Sequence, residues 1–212
     1  MKYKKYTLLK EFNSNTYLVW DEKTKEGILI DPSKESKKLS DEIRKLEIKL
    51  KMIVNTHGHA DHIGGNRFFS KEFEIPVAIN KNDAFMLLDP KANLSSLFNE
   101  AFISPKAEIL LEDNEVIKIG ANKLKIIHTP GHTQGCICIY IDNLLFSGDT
   151  LFRESIGRTD LPGGDYQQLK NSITNKIFTL DDETIVLSGH GILTTIGDEK
   201  VQNPFVGLAA RV

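Results

Sequence analysis

The chain is poor in the residues that build staples, membrane spans or charged footprints. Cysteine occurs only twice in 212 residues, as Cys136 and Cys138. That excludes a disulfide-dense secreted scaffold, and two cysteines one residue apart on a strand-like run are badly placed for an unstrained bridge. No apolar run is long enough to cross a bilayer. The charged start, Met1-Lys2-Tyr3-Lys4-Lys5-Tyr6, is followed by no apolar segment of the kind a secretory leader needs. With reduced thiols, this leads to the expectation of a cytoplasmic protein with no membrane partner. The net charge is only −2, from 27 Lys+Arg against 29 Asp+Glu. A balance so even leaves no basic footprint for nucleic acid. What remains is ordinary for a globular chain: 40% hydrophobic and 26% charged residues, enough for one sizeable core and one domain over residues 1–212.

Strand-like and helix-like segments alternate. Tyr17–Trp20 and Gly27–Ile30 read as antiparallel strands, and Ser40–Leu50 as a helix with Ser40 as cap and Ile43, Leu46 and Leu50 as its apolar stripe. Met52–Asn55 is the next strand, Gly65–Phe73 a helix, and Val77–Asn80 a strand. Asn82 then opens a helix that Pro90 interrupts. The segment 91–105 carries scattered Leu94, Leu97, Phe98 and Phe102; it either packs beside a site or simply links. Further strands are expected at Val116–Ile119, Leu124–Ile127, Cys136–Ile141, Leu144–Phe146 and Thr184–Leu187, with a helix at Tyr166–Ile177. Each half of the chain can therefore supply one sheet with helices outside. No repeat or low-complexity linker is present.

Histidine is scarce, six in all, yet three fall in one loop. Thr56-His57-Gly58-His59-Ala60-Asp61-His62 directly follows the apolar run Met52-Ile53-Val54. Imidazole and carboxylate suit borderline divalent metals such as zinc. Alternation puts His57 and His59 on one side, and the turn marked by Gly64-Gly65 can aim Asp61 and His62 elsewhere. His132, Asp149 and His190 each follow a glycine in a short turn, and each turn closes an apolar run. Donors on loops at strand ends form a metal-site pattern.

The order His57, His59, Asp61, His62, His132, Asp149, His190 resembles the metallo-β-lactamase superfamily. Within it the chain is most similar to the glyoxalase II group (hydroxyacylglutathione hydrolases), in the short bacterial form without a C-terminal helical domain. Gly148-Asp149-Thr150-Leu151-Phe152, Gly157-Arg158-Thr159-Asp160 and Gly189-His190-Gly191 carry the finer likeness. The resemblance implies an α/β fold, an αββα sandwich of two mixed sheets flanked by helices. It implies two divalent metal ions, zinc with iron or manganese as alternatives. His57, His59 and His132 would hold one, Asp61, His62 and His190 the other, and Asp149 would bridge. It further implies hydrolysis of a small acyl thioester such as S-lactoylglutathione by a metal-bridging hydroxide, with Asp61 and Asp149 as catalytic carboxylates. The alternative within the fold is a persulfide dioxygenase holding one iron on His57, His132 and Asp149.

Four residue readings stay open at this level. His128 precedes His132 by four positions, but Pro130-Gly131 forbids the helix that would make that spacing useful, so a structural role is expected. Asp31 either orients a ligand histidine or starts a turn. Arg158 either contacts a substrate carboxylate or pairs with Asp160. Cys136 and Cys138 are read as buried apolar residues rather than ligands.

Overall fold

The structure is a computed structural model that describes residues 1–98 and 101–211. Of the connector read at 91–105, Asn99, Glu100 and the Phe98 side chain lie outside the described residues, as does Val212.

Two six-stranded sheets face each other. The first contains β1 (Lys2–Leu9), β2 (Ser14–Trp20), β3 (Glu26–Ile30), β4 (Lys49–Val54), β5 (Val77–Asn80) and β6 (Ile109–Leu111), in that order. Its first three strands are antiparallel, and β3 to β6 run parallel. The second sheet draws on β7 (Val116–Ile119), β8 (Asn122–His128), β9 (Ile137–Ile141), β10 (Leu144–Gly148), β13 (Ile185–Ser188) and β14 (Thr194–Thr195), in the order β14-β13-β10-β9-β8-β7. A small hairpin, β11 (Leu151–Phe152) with β12 (Ser155–Ile156), leaves the end of β10.

Strand periodicity explains the layers. In β2, Tyr17 and Val19 point between the sheets while Leu18 points outward; in β3, Ile28 and Ile30 point in and Leu29 out. The inner residues meet Ile126, Ile137, Ile139 and Phe146 of the second sheet in one shared core. Outside the first sheet pack α1 (Lys37–Lys45), through Leu39 and Ile43, and α3 (Asn66–Phe73), through Phe69. Outside the second pack α4 (Tyr166–Asn175), through Leu169 and Ile173, and α5 (Ile196–Gln202), through Ile196. The architecture is the expected αββα sandwich. Truncating a core aromatic such as Phe69 or Phe146, both fully buried, would cost about 3–5 kcal/mol.

Three local expectations differ from the structure. Helix α1 begins at Lys37, because Ser36 rather than Ser40 accepts the Leu39 amide. It ends at Lys45, since Glu47 is left-handed at φ 57°, and Leu50 belongs to β4. Ser40 sits mid-helix, bonded to Glu72 and Arg44. At Asn82 the Asn80 side chain captures the backbone amide, so only a short 3-10 turn forms at Ala84–Leu88. β1 is a strand despite its lysines, which suit an exposed edge.

β3 and β4 are parallel, and pairing through β9 makes β8, β10 and β13 run the same way. Each sheet therefore delivers the loops after these strands to one edge. Hydrogen bonds stitch the sheets together there, among them Thr56 carbonyl from the Ile137 amide (2.9 Å), Gly189 carbonyl from the Asn15 amide (2.7 Å), and Ser188 carbonyl from the Asn15 side-chain amide (2.9 Å) and from the Tyr17 hydroxyl (2.7 Å).

Candidate metal centre

At that edge the structure brings together all seven donors singled out in the sequence. Between β4 and α3, the chain turns through a single helical turn, α2 (Ala60–Ile63). His59 precedes it in extended backbone, so His57 and His59 stay on the strand side while Asp61 and His62 are carried round. The donor atoms of His57, His59 and His132 lie within 4.8 Å of one another, as do those of Asp61, His62 and His190. Asp149 joins His57 and His62 in a third group of the same span. Its Oδ1 lies 3.4 Å from His62 Nε2, and its Oδ2 lies 3.6 Å from His132 Nε2 and 3.4 Å from His190 Nε2.

The donors fit divalent cations. His57 Nε2 and Asp149 Oδ1 are buried without a hydrogen-bond partner, as is His59 Nε2, the ring nitrogen other than the Nδ1 that faces His132. A buried polar atom left so costs about 1–3 kcal/mol, and two that converge in one cluster point to a ligand. His59 Nδ1 and His132 Nε2 approach to 3.0 Å, near the roughly 3.4 Å that separates two nitrogens on one tetrahedral zinc with bonds of about 2.0–2.1 Å.

The other ring nitrogens are held by the fold, as metal-binding imidazoles usually are. His57 Nδ1 lies 3.2 Å from Thr56 Oγ1, whose hydroxyl is donated to Asp31 Oδ2 at 2.6 Å. His62 Nδ1 meets the same Asp31 Oδ2 at 3.0 Å. His132 Nδ1 donates to the Arg158 carbonyl at 2.7 Å, and His190 Nδ1 to the Phe12 carbonyl at 2.8 Å. Asp31 thus takes the orienting role of the two left open. Its own backbone is left-handed at φ 46°.

Electrostatics divide the cluster. Burial, reinforced by His62, drives His57 well below the usual imidazole range. Burial and His132 take His59 down to about 3, so both are neutral donors. Burial would also lower His62 and His190, but the carboxylates around them win. His62 is pushed up to about 9 by Asp61, Asp149 and Asp31, and His190 up to about 11 by Asp149 and Asp61. Burial would raise the carboxylates, and again the partners win: His62 and His190 bring Asp61 down to about 2 and hold Asp149 well below the carboxylate range. In the metal-free cluster, protons on two histidines balance two carboxylates.

Two positioning residues escaped the sequence reading. Asp83, buried, accepts from the Gly58 amide (3.1 Å), the Thr133 hydroxyl (2.6 Å) and the Gly135 amide (2.7 Å). It ties the loop of His57 and His59 to the turn of His132. Ser14 donates its hydroxyl to Asp61 Oδ2 at 3.1 Å. Neither carries a motif; each is found only by what packs beside it. Two glycines are also required by the cluster. Gly148 is left-handed at φ 49° with Thr56 where a Cβ would sit, and a Cβ on Gly189 would strike Asp149 and His62.

The remaining candidates lie further out. His128 bonds the Gln134 carbonyl through Nε2 at 2.9 Å and belongs to none of the donor groups. Arg158 forms a bidentate pair with Asp160, 2.8 Å at each contact, and lines a cleft of about 740 Å3 with Asp149, His190 and Arg153. Cys136 and Cys138 are free and buried, and burial raises both thiols. The connector does pack beside the site. Its Asn93 carbonyl takes the Ala60 amide at 2.9 Å, and Ser95 and Phe102 share a pocket with Asp61. Among the described residues no helix is long and apolar enough to cross a membrane.

The model of the metallo-β-lactamase superfamily matches residues 9–190, a span that ends on the last of the seven donors. The chain belongs to this superfamily, and its relatives include metal-dependent hydrolases. It is 37% identical to hydroxyacylglutathione hydrolase GloC of Haemophilus influenzae, over 92% of this chain and 93% of that protein. Among solved structures, it superposes on the BLEG-1 B3 metallo-β-lactamase with a TM-score of 0.91 and 39% identity, covering 97% and 99% of the two chains. ETHE1 from Myxococcus xanthus gives a TM-score of 0.80 at 28% identity, covering 97% and 84%.

Proposed function

We propose that the protein is a binuclear metal-dependent thioester hydrolase acting on S-lactoylglutathione or a related small acyl thioester. The observation that carries this is the division of seven converging donors into two triads, His57/His59/His132 and Asp61/His62/His190, with Asp149 reaching both. The 37% identity to GloC supports the choice of substrate class. Two divalent ions, zinc foremost with iron or manganese as alternatives, would polarise the carbonyl and bring the pKa of a bound water from 15.7 toward about 7. The chain's own residues do the rest. His57 and His59 stay neutral and so keep their lone pairs available. Asp149 offsets cationic charge between the two triads. Asp61, whose side chain keeps 21% exposure, is placed to accept a hydrogen bond from the attacking water and orient it. The departing thiol, with an ordinary pKa near 8.5, needs no dedicated acid. Arg158 lines the cleft where a substrate carboxylate would lie. Two buried free thiols suit a reducing cytoplasm.

Elemental analysis of metal-replete protein should give two metals per chain, with S-lactoylglutathione hydrolysed in step with metal content. The similarity to ETHE1 and the Gly157-Arg158-Thr159-Asp160 stretch favour one other reading, a persulfide dioxygenase holding a single iron. A fully active preparation with one iron, consuming oxygen with glutathione persulfide and leaving thioesters intact, would replace the first reading by the second.

A further inference from the structure

Two hollows open at the donor cluster. The wider cleft, about 740 Å3, reaches Asp149 and His190 and is lined by Arg153 and Arg158, which pair with Glu154 and Asp160. The narrower pocket, about 350 Å3, reaches Asp61; Leu9, Phe12, Ala60 and Phe102 give it an apolar wall, and Ser33, Lys34, Glu35 and Ser95 also line it. Phe12 belongs to both. The turn that carries it is fixed to the metal centre, because the Phe12 carbonyl receives His190 Nδ1–H, and Asn13 closes the turn onto Lys10. A thioester also has two unlike arms joined at its carbonyl. Apolar lining sorts them: an apolar acyl group matches Leu9, Phe12, Ala60 and Phe102 beside Asp61, which leaves the wider cleft to the thiol arm. A volume of about 350 Å3 lies at the small end of ligand sites, which run from about 300 to 1,000 Å3.

We propose that this pocket is an acyl-chain subsite, and that the chain prefers apolar acyl groups longer than lactoyl. The inference rests on the thioesterase reading, and it makes Leu9, Phe12 and Phe102 specificity residues.

The test uses the full metal-loaded chain with acetyl-, butyryl- and hexanoylglutathione, and separately the binding of hexanoate against acetate by calorimetry. Burying a methylene contributes about 0.8 kcal/mol, so kcat/KM should rise roughly fourfold per methylene until the pocket is full. Hexanoate should bind at least tenfold more tightly than acetate. Leu9→Trp, which fills the pocket, should flatten both trends. Phe12→Ala, at an exposed turn, should weaken them. Rates and affinities indifferent to acyl length, or trends untouched by both variants, would overturn the subsite. So would an acyl-length trend abolished by Arg153→Ala or Arg158→Ala, because the acyl arm would then lie in the other cleft. Length-dependent, Leu9-sensitive hexanoate binding without hydrolysis of any thioester would keep the pocket and defeat the thioesterase reading. Acetylglutathione hydrolysis with no length effect would do the reverse.

Discussion

The two triads share one cluster but are built differently. His57, His59 and His132 have 0%, 4% and 2% exposure, and all three donors are imidazoles. In the other triad His62 is buried, but the His190 and Asp61 side chains keep 26% and 21% exposure and one donor is a carboxylate. Burial dominates the first and makes His57 and His59 neutral. Paired charge dominates the second and keeps its histidines protonated until something displaces the proton. The same residue type thus holds opposite protonation states a few ångströms apart, decided by whether a carboxylate is within reach.

The buried end should be the least forgiving. His132→Ala removes a donor that no water can easily replace. It should lower activity by more than the 10–100-fold typical of an outer-shell change, with metal lost in native mass spectrometry. His128→Ala, whose ring only meets the Gln134 carbonyl, should stay within that range and keep its metal. Equal metal loss in both would undo the division between the two residues.

Next come the carboxylates behind each end. Asp83→Asn places a donor against the Gly58 amide and the Thr133 hydroxyl. Asp31→Asn weakens the hold on His62. Each should cost roughly 10–100-fold in metal affinity or activity. Measured separately, Asp83→Asn should loosen the all-histidine triad alone, and Asp31→Asn should loosen the mixed one through His62 and also reach His57 through Thr56. The opposite pattern would contradict the roles drawn from their contacts.

The electrostatic contrast is testable in metal-stripped protein. His62 and His190 are raised above their ordinary 6.5, to about 9 and about 11. Their stabilisation is complete below pH 6.5 and is lost as pH climbs through 9 and then 11. His59 is depressed to about 3, so stability also falls as pH drops from 6.5 toward 3. Melting temperature in chelator should therefore peak near pH 6.5 and fall on either side. Metal-loaded protein should hold its melting temperature on the alkaline side, and an alkaline fall of equal size in both forms would refute this account. The smallest effect is expected at Arg158. Arg158→Ala should lower kcat/KM severalfold and leave metal content unchanged, since only its backbone carbonyl serves His132.

Much of this was legible without coordinates. The seven donors share residue types suited to metals, stand at the ends of apolar runs, and follow a recurrent order. The apolar run Tyr17–Trp20 announced a strand, and the structure shows it buried on both faces. β1 was hidden because its lysines break the apolar signal, while its pairing with β2 is set by the partner strand. The cap of α1 was misplaced because Ser36 and Ser40 are chemically equivalent, and only the backbone path chooses between them. Asp83, Ser14 and Phe12 gave no signal, since their roles lie in contacts with distant segments.

Residue chemistry and strand periodicity are local properties, so the candidate donors, their order and the two-sheet plan are readable along the chain. Which of them face each other, how exposed each triad is and which histidines carry a proton come from the folded arrangement. Those depend on burial and on neighbours far along the chain: His132 meets His59 across 73 positions, and His190 meets His62 across 128. Electrostatic and desolvation energies are set by such distances in space, which no local pattern specifies.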